Sequence, residues 1–206
     1  MMAMDLKDTY NKIAEDWHKD HTQDDWWVDG TLKFISLVGV GKEVLDVGCG
    51  AGTKSKFLKE NGLSVTGIDF SEKMIEIAKR ENPDISFEVL DMRDVEKLEG
   101  MYDGIFIQAA LLHIPHHAAA DVVRKISTKL RTGGYMYIAV KERYPGRVAE
   151  EIKVEDDYGY SYERFFSYYS VGDLEGYFKD SGFEIVYEET TGEEKKKWIQ
   201  MIGKKM

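Results

Sequence analysis

The chain has 206 residues, of which 43% are hydrophobic and 32% are charged, a balance typical of a folded soluble protein rather than a disordered one. Its formal net charge of −10 argues against nucleic acid as a partner, because an acidic surface repels phosphate. No run of about 18 apolar residues could span a membrane, no secretory signal is visible, and the single Cys49 can form no internal disulfide, so we expect a cytoplasmic protein.

Short β-rich runs alternate with helical stretches along most of the chain, a pattern typical of a parallel sheet covered by helices. Residues 5–38 are predicted to be helical and precede the first strand. Glycines bound the next strands and helices, and Ser71 has the position of a helix N-cap. Strands are predicted at residues 43–47, 63–68, 85–90, 102–108 and 135–141, with helices at 53–61, from 71 onwards and at 116–130.

The last third of the chain departs from this rhythm. Residues 143–169 are acidic and rich in Tyr and Phe, with no clear period. Ser170 and Asp173 form a predicted capping box that opens a helix. Two closing strands are predicted at 183–187 and 198–202, joined by a charged loop at 188–197. Because this loop is too short for a crossover helix, the last pair of strands should be antiparallel.

No internal repeat or low-complexity linker divides the chain, so we predict a single domain over residues 1–206. Its predicted parts are an N-terminal helical cap, a cofactor-binding core, an aromatic insertion or lid, and a C-terminal helix with a hairpin. These parts cover residues 1–38, 40–142, 143–169 and 170–206, respectively.

A glycine-rich turn follows the first strand in the segment Val44-Leu45-Asp46-Val47-Gly48-Cys49-Gly50-Ala51-Gly52. Such a turn directs backbone N–H groups and a helix N-terminus towards a ligand. A GxGxG pattern alone is weak, because dinucleotide-binding proteins use a similar loop. Here Thr53 occupies the place where that loop needs a small residue, and the Asp46 carboxylate would repel a pyrophosphate. The loop therefore favours an amino-acid tail with an ammonium group, held by Asp46 directly or through water.

Acidic residues also follow the next two strands. Asp69 ends the second strand, where a carboxylate can accept hydrogen bonds from both hydroxyls of a ribose. Asp91 ends the third strand, where it could accept from an adenine amine while the Met92 N–H donates to the ring. The three strand ends together predict a ligand that combines an amino acid, a ribose and an adenine.

The segments VLDVGCGAG, GIDFS, LDM, YDGIFIQ and LRTGGYMYIAVKE resemble the ordered motifs of the class I S-adenosylmethionine-dependent methyltransferases. The resemblance covers about residues 40–142, and the corner at Gly182 with the final hairpin extends it. It implies an α/β fold with one Rossmann-like doubly wound sheet of seven strands, order 3-2-1-4-5-7-6. Strand 7 would be antiparallel, and helices would cover both faces. It also implies S-adenosylmethionine as cofactor, with S-adenosylhomocysteine as product, and methyl transfer as the activity.

The resemblance also indicates which residues hold the cofactor. The segment around Tyr10 is similar to the leading helix of small-molecule members of the family, in which an aromatic hydroxyl touches the cofactor's carboxylate. Gln108 ends the fourth strand, beside the expected position of the methylthio group. The full predicted set is Tyr10, Asp46, Gly48, Cys49, Gly50, Gly52, Asp69, Phe70, Asp91, Met92 and Gln108.

The sequence gives fewer indications of the residues that would bind the methyl acceptor. Gln108-Ala109-Ala110-Leu111 departs from the motif of enzymes that methylate nucleic-acid bases, so a small-molecule acceptor is favoured over nucleic acid, and a protein acceptor stays open. His113 is the candidate general base, although a structural histidine would fit as well. Lys141, Arg143 and Tyr144 follow the fifth strand, where they could hold an acceptor carboxylate. Trp17, Trp26 and Trp27, with aromatic residues of 158–169, form a candidate two-part lid or ordinary core packing.

His113, His116 and His117 also raise the possibility of a metal site. Pro115 prevents a regular helix through the three, and no clear fourth ligand accompanies them, so no metal is predicted. Two other functions stay open: a non-catalytic S-adenosylmethionine-binding module and, opposed by Thr53 and Asp46, an NAD-dependent oxidoreductase. The sequence leaves the oligomeric state and the methylated atom undetermined.

Overall fold

The computed structural model describes residues 5–21, 25–193 and 196–206 of the chain. In these ranges it contains a seven-stranded sheet, a separate two-stranded sheet and six α-helices. The helices are α1 (Leu6–Asp20), α2 (Val28–Val38), α3 (Thr53–Glu60), α4 (Glu72–Glu81), α5 (His116–Ser127) and α6 (Val171–Asp180). None of the described helices combines the length and the apolar character needed to cross a membrane.

The large sheet has the predicted topology. Its strands are β1 (Glu43–Val47), β2 (Ser64–Asp69), β3 (Ser86–Val89), β4 (Tyr102–Gln108), β5 (Leu130–Lys141), β8 (Phe183–Glu193) and β9 (Lys196–Lys205). Their spatial order is β3-β2-β1-β4-β5-β9-β8. The first five are parallel, and β9 is antiparallel to both β5 and β8. Because β6 (Glu150–Glu155) and β7 (Tyr162–Ser167) lie outside this sheet, the order is the predicted 3-2-1-4-5-7-6, and the predicted fold is confirmed.

Helices cover both faces of the sheet because neighbouring residues of each central strand point to opposite sides. In β4, Ile105 and Ile107 pack in a core that also contains Ile126 of α5 and Phe178 of α6. Phe106 lies between them in sequence and packs on the other face, in a core that includes residues of α2, α3 and α4. A continuous apolar run in β4 therefore forms the centre of both layers.

The predicted charged loop at 188–197 was wrong, because β8 continues to Glu193 and β9 begins at Lys196. Residues alternate between exposed and half-buried along β8, so its charged side chains belong to a solvent-facing edge strand rather than to a loop. In the same way, β5 begins at Leu130, earlier than predicted, and α5 ends at Ser127.

The aperiodic segment 143–169 contains an antiparallel hairpin of β6 (Glu150–Glu155) and β7 (Tyr162–Ser167). This hairpin packs against α1. Thr9 Oγ1 donates to the Glu163 carbonyl at 2.9 Å, and Tyr160 OH donates to Asp16 Oδ2 at 2.8 Å. The N-terminal helix and the aromatic segment, which lie far apart in the chain, thus form one layer beside the large sheet.

Candidate active site

A cavity of about 520 Å³ opens at the carboxyl ends of the parallel strands. Its volume falls in the usual range for small-molecule sites, roughly 300–1,000 Å³. The loops after β1, β2 and β4 line one side, and residues of α1 and β7 line the other. Nine of the predicted cofactor residues lie in its wall: Tyr10, Gly48, Cys49, Gly50, Asp69, Phe70, Asp91, Met92 and Gln108.

The glycine loop is tied to the end of β2 because the N–H groups of Gly48 and Cys49 both donate to the Ile68 carbonyl, at 2.8 and 3.0 Å. A Cβ on Gly50 would meet no protein atom within 4 Å, and this residue lines the cavity. A Cβ on Gly52 would instead lie 2.9 Å from Asn82 Nδ2 and 3.0 Å from a ring carbon of Phe87. Gly52 therefore serves helix packing, and it does not line the cavity.

Asp46 lies behind the loop rather than in the cavity wall. Its side chain is buried, and Ser55 Oγ donates to Oδ2 at 2.6 Å. Burial raises the pKa of Asp46 to about 7, although the Ser55 hydrogen bond opposes this. Because the carboxylate faces the first turn of α3 and lies outside the cavity wall, of the two routes that the sequence left open, direct and through water, the geometry favours the one through water.

The buried Asp46 gives a testable pH dependence of stability. The pKa of Asp46 in the folded protein exceeds its ordinary value, so at mildly acidic pH the folded state binds a proton that the unfolded chain does not. The stability that this proton contributes is lost as the pH rises towards about 7. Asp46→Asn removes this titration. Since one pKa unit corresponds to about 1.4 kcal/mol, the stability of the variant relative to wild type should improve by ~2 kcal/mol between pH 5 and pH 8. Urea unfolding at both pH values measures this, and a pH-independent difference would contradict it.

Asp69 is fixed by two backbone amides at the cavity wall. Gly50 N–H donates to Oδ2 at 3.0 Å and Ser71 N–H donates to Oδ1 at 2.9 Å. Burial raises the pKa of Asp69 to about 6, and the two amides oppose the shift. At neutral pH the group is therefore mainly a carboxylate. Each oxygen keeps acceptor capacity for one further donor, which suits the vicinal hydroxyls of a ribose.

Asp91 has a partner that the sequence did not reveal. Arg93 donates from Nε to Oδ1 at 2.9 Å and from a terminal guanidinium nitrogen to Oδ2 at 2.5 Å. Partial burial opposes the charged form, but these hydrogen bonds outweigh it and lower the pKa of Asp91. An amine that binds at Asp91 would therefore share the carboxylate with Arg93. Met92, the first residue of a short 3-10 helix, lines the cavity beside it.

Gln108 carries an unsatisfied acceptor. The residue is only 9% exposed, and among the described residues its Oε1 atom has no hydrogen-bond partner. Buried amide oxygens are normally paired, so an orphaned one in a cavity wall indicates a donor on a ligand. An ammonium or hydroxyl group at this place fits the chemistry.

Tyr10 and His113 form a buried pair between α1 and the end of β4. Tyr10 OH lies 2.7 Å from His113 Nε2, and His113 Nδ1 lies 2.7 Å from the Phe165 carbonyl oxygen. A carbonyl only accepts, so Nδ1 carries the proton and Nε2 accepts from the Tyr10 hydroxyl. Burial lowers the pKa of His113 to about 3, so the imidazole is neutral at physiological pH.

Arg164 was missed by sequence reasoning, because it lies in the segment without a clear period. It now lines the cavity from β7 and makes a fork-like ion pair with Glu155, at 2.6 and 2.8 Å. Its guanidinium lies 4.7 Å from the Trp17 ring and 5.0 Å from the Phe166 ring. In β7, charged and aromatic residues occur on both faces of the strand. The alternation that would have marked Arg164 as facing a cavity is therefore not visible in the sequence.

Aromatic rings surround the end of the cavity opposite Asp69. Trp17, Trp26, Phe166 and Trp198 line it, and Trp26 stacks on Trp198 with ring centroids 4.0 Å apart. Trp27 is buried elsewhere against Phe57 and does not line the cavity.

The other side chains that the sequence singled out have different partners. Of the three candidates after the fifth strand, only Lys141 reaches the cavity. Arg143 lies with His116 and His117 in a shallower surface depression. His116 Nε2 lies 3.0 Å from the Tyr168 carbonyl, so His113 and His116 bond different backbone carbonyls instead of converging.

The sheet order, the glycine loop and the carboxylate at the end of β2 define a Rossmann-like α/β protein with a ligand site at the carboxyl ends of its strands. Residues 44–134 match the family described as "Methyltransferase domain". This match supports, for the segment it covers, the resemblance to the class I S-adenosylmethionine-dependent methyltransferases that the sequence motifs carry.

Relatives and solved structures show the same similarity, the solved structures at the level of the fold. The chain is 35% identical over 125 residues to a ubiquinone biosynthesis O-methyltransferase of Bordetella bronchiseptica, covering 58% of this chain and 49% of that protein. A protein of the same name from Dechloromonas aromatica is 31% identical over 124 residues, covering 58% and 50%. The chain thus spans about half the length of the curated relatives it matches.

Among solved structures, the fold is similar to that of Burkholderia thailandensis 1,6-didemethyltoxoflavin-N1-methyltransferase with bound 1,6-didemethyltoxoflavin and S-adenosylhomocysteine. The TM-score is 0.75 at 18% identity, covering 97% of this chain and 87% of that one. It is also similar to that of Synechocystis magnesium protoporphyrin IX methyltransferase with bound S-adenosylmethionine, with a TM-score of 0.71 at 21% identity and full coverage of both chains.

Proposed function

We propose that this protein is a cytoplasmic S-adenosylmethionine-dependent methyltransferase that acts on a small-molecule acceptor. The observation that carries the proposal is the continuity of the cavity. It extends from Asp69 and the glycine loop, past Gln108, to the aromatic end at Trp198. The same cavity is therefore lined at one end by residues suited to bind a nucleoside and at the other end by residues suited to bind a second, flat molecule.

The residues in the wall fit the cofactor's chemistry. Asp69 has acceptor capacity for two ribose hydroxyls, Gln108 has an unpaired acceptor for a donor, and Gly50 leaves open space beside the backbone. Solved structures of the same fold bind S-adenosylmethionine or S-adenosylhomocysteine. We assign cofactor binding to eight of the wall residues, with Asp46 and Gly52 supporting the loop from behind. Tyr10 is instead paired with His113, because its one hydroxyl proton is donated to Nε2 and is not free for the cofactor's carboxylate.

Bound S-adenosylmethionine would supply a methyl group that its sulfonium makes electrophilic. The contribution of the protein is then to align the acceptor with that group and to exclude water. Such positioning can supply roughly 7–11 kcal/mol of the barrier. Here α1 and β7 cover the cavity, and their contact through Thr9 and Glu163 holds the cover together.

His113 stays our candidate general base, and it would act through the Tyr10 hydroxyl, from which its Nε2 already accepts a hydrogen bond. In this route Tyr10 takes the proton of the acceptor and passes its own to Nε2. Because the pKa of His113 is about 3, the imidazole is a weak base at neutral pH. The route therefore suits an acceptor that becomes strongly acidic as the methyl group arrives, and alignment carries most of the rate enhancement.

A small molecule fits this site better than nucleic acid does. The cavity lies beneath α1 and the β6–β7 hairpin, and the chain carries a net charge of −10. The relatives named above act, by their names, on small molecules, which supports the same class of acceptor here.

Calorimetric titration with S-adenosylmethionine, S-adenosylhomocysteine and NAD, each run separately, tests the proposal. We expect micromolar binding of both adenosyl compounds and none of NAD. NAD binding alone would favour an oxidoreductase, and no binding would overturn the proposal. Binding of S-adenosylmethionine without turnover across oxygen, nitrogen and sulfur acceptors would favour a non-catalytic module instead.

A further inference from the structure

The aromatic end of the cavity contains a cation that has no carboxylate partner in the described part of the chain. Lys141, the last residue of β5, lines the cavity and makes no ion pair with any carboxylate of the described residues. Its ammonium group instead lies 4.4 Å from the centre of the Phe166 ring and 5.6 Å from that of Trp198. Of the other cations nearby, Arg164 pairs with Glu155 and Arg147 pairs with Glu151, whereas Lys153 lies outside the cavity wall.

The charge of Lys141 is retained although its surroundings oppose it. Burial and the positive charges of Arg164, Lys153 and Arg147 lower its pKa to about 8, while Glu155 acts in the opposite direction. At pH 7 the group is therefore still mainly protonated. A half-buried ammonium among cations is unfavourable until a counter-ion reaches it, so an anion in the cavity would relieve this cost.

Aromatic rings line the cavity around Lys141. Trp198 is stacked on Trp26 with an interplanar angle of 11°, and the Phe166 ring lies closer to the ammonium group than the Trp198 ring does. Stacked and edge-on ring contacts favour a planar conjugated molecule over an aliphatic chain. The rings and the cation thus suit two different features of one ligand.

We propose that the methyl acceptor is a planar aromatic anion whose carboxylate binds Lys141 Nζ while its ring packs against the aromatic side chains that line the same end of the cavity. This inference rests on the proposed function and specifies its acceptor. In β5, Lys141 lies two residues beyond Ala139, which pairs with Gln108 at the end of β4. The anchored carboxylate would therefore sit farther out than Gln108, so that another atom of the ring system faces the methyl group.

The test uses benzoate-type probes in matched pairs: 4-hydroxybenzoate, 3,4-dihydroxybenzoate and 2-naphthoate, each with its carboxamide. They are titrated onto the full chain with saturating S-adenosylhomocysteine and also without it, and tryptophan fluorescence reports binding. We expect at least one carboxylate to bind at least about tenfold more tightly than its carboxamide, the size expected for a hydrogen bond between charged groups. Lys141→Gln should remove the preference, and Lys141→Arg should retain most of it.

Lys153→Gln is the matched control, because Lys153 lies 5.9 Å from the same Phe166 ring but outside the cavity wall. This variant should keep the preference for the carboxylate. Equal binding within every pair, no binding of any carboxylate, or a preference that survives Lys141→Gln would each overturn the anionic acceptor. Failure of S-adenosylhomocysteine to bind would instead overturn the proposed function, and a carboxylate preference that depends on Lys141 would still stand.

Discussion

Asp69→Ala is expected to weaken S-adenosylmethionine binding by at least about 100-fold, since hydrogen bonds to a charged group contribute about 1.5–3 kcal/mol each and two ribose hydroxyls lose theirs. The Gly50 N–H also loses its acceptor, so the glycine loop is less firmly held. Isothermal titration calorimetry at pH 8 measures the effect, and thermal unfolding of the ligand-free variant shows whether it is folded.

The pH dependence of binding separates a ligand role of Asp69 from a merely structural one. Its pKa is raised to about 6, so protonation below that pH removes acceptor capacity, and wild-type affinity should fall between pH 8 and pH 5. The Asp69→Ala variant should lack this dependence. Asp94→Ala is the control, because Asp94 pairs with Lys97 at 2.8 Å and lies outside the cavity wall. Affinity of Asp69→Ala within threefold of wild type would remove Asp69 from the site.

The central architecture and the positions of the glycine loop and Asp69 at the cavity could be predicted because their signals are local. A β-rich run, a glycine turn and a helix follow one another within residues 43–60, and Asp69 stands at the end of its own strand. Each of these features is fixed by neighbouring residues and by the rule that ligands bind at the carboxyl ends of parallel strands. The final antiparallel pair followed from the short connection alone.

The orientation of Asp46 could not be predicted in the same way. Its place in β1 was clear, but which side of the loop its carboxylate faces depends on Ser55, in the following helix. The spacing of residues predicts the strand, but it does not reveal which polar side chain lies on each side of the strand's end. The same applies to Asp91, whose partner Arg93 is only two residues away but on the exposed rim.

The acceptor side depends on contacts between distant parts of the chain. Tyr10 is hydrogen-bonded to His113, which lies 103 residues away in the sequence. The β6–β7 hairpin is positioned by packing on α1. In isolation a two-stranded hairpin is marginally stable, so its sequence need not carry a strong strand pattern. For this reason the acidic and aromatic segment looked irregular, and Arg164 went unnoticed.

The ion pair in this hairpin should make Glu155→Ala strongly destabilising. Arg164 and Glu155 have side chains only 8% and 18% exposed, and the guanidinium has no other described carboxylate within ion-pair distance. Removing one partner of a buried pair leaves an uncompensated charge, which costs about 3–5 kcal/mol. We expect a loss in the free energy of unfolding of ~3 kcal/mol in urea at pH 7.

The control and the double variant identify the cause of that loss. Glu15 and Arg80 form an exposed pair at 2.7 Å, with side chains about half exposed, so Glu15→Ala should cost less than about 1 kcal/mol. Replacing both Glu155 and Arg164 by Met should recover most of the stability, because no buried charge remains and the methionine side chains can fill the space. If the double variant is less stable than Glu155→Ala, the contacts of the guanidinium with the Trp17 and Phe166 rings outweigh the cost of its unpaired charge. Since Arg164 lines the cavity, the double variant should also change acceptor binding while cofactor binding at Asp69 stays intact.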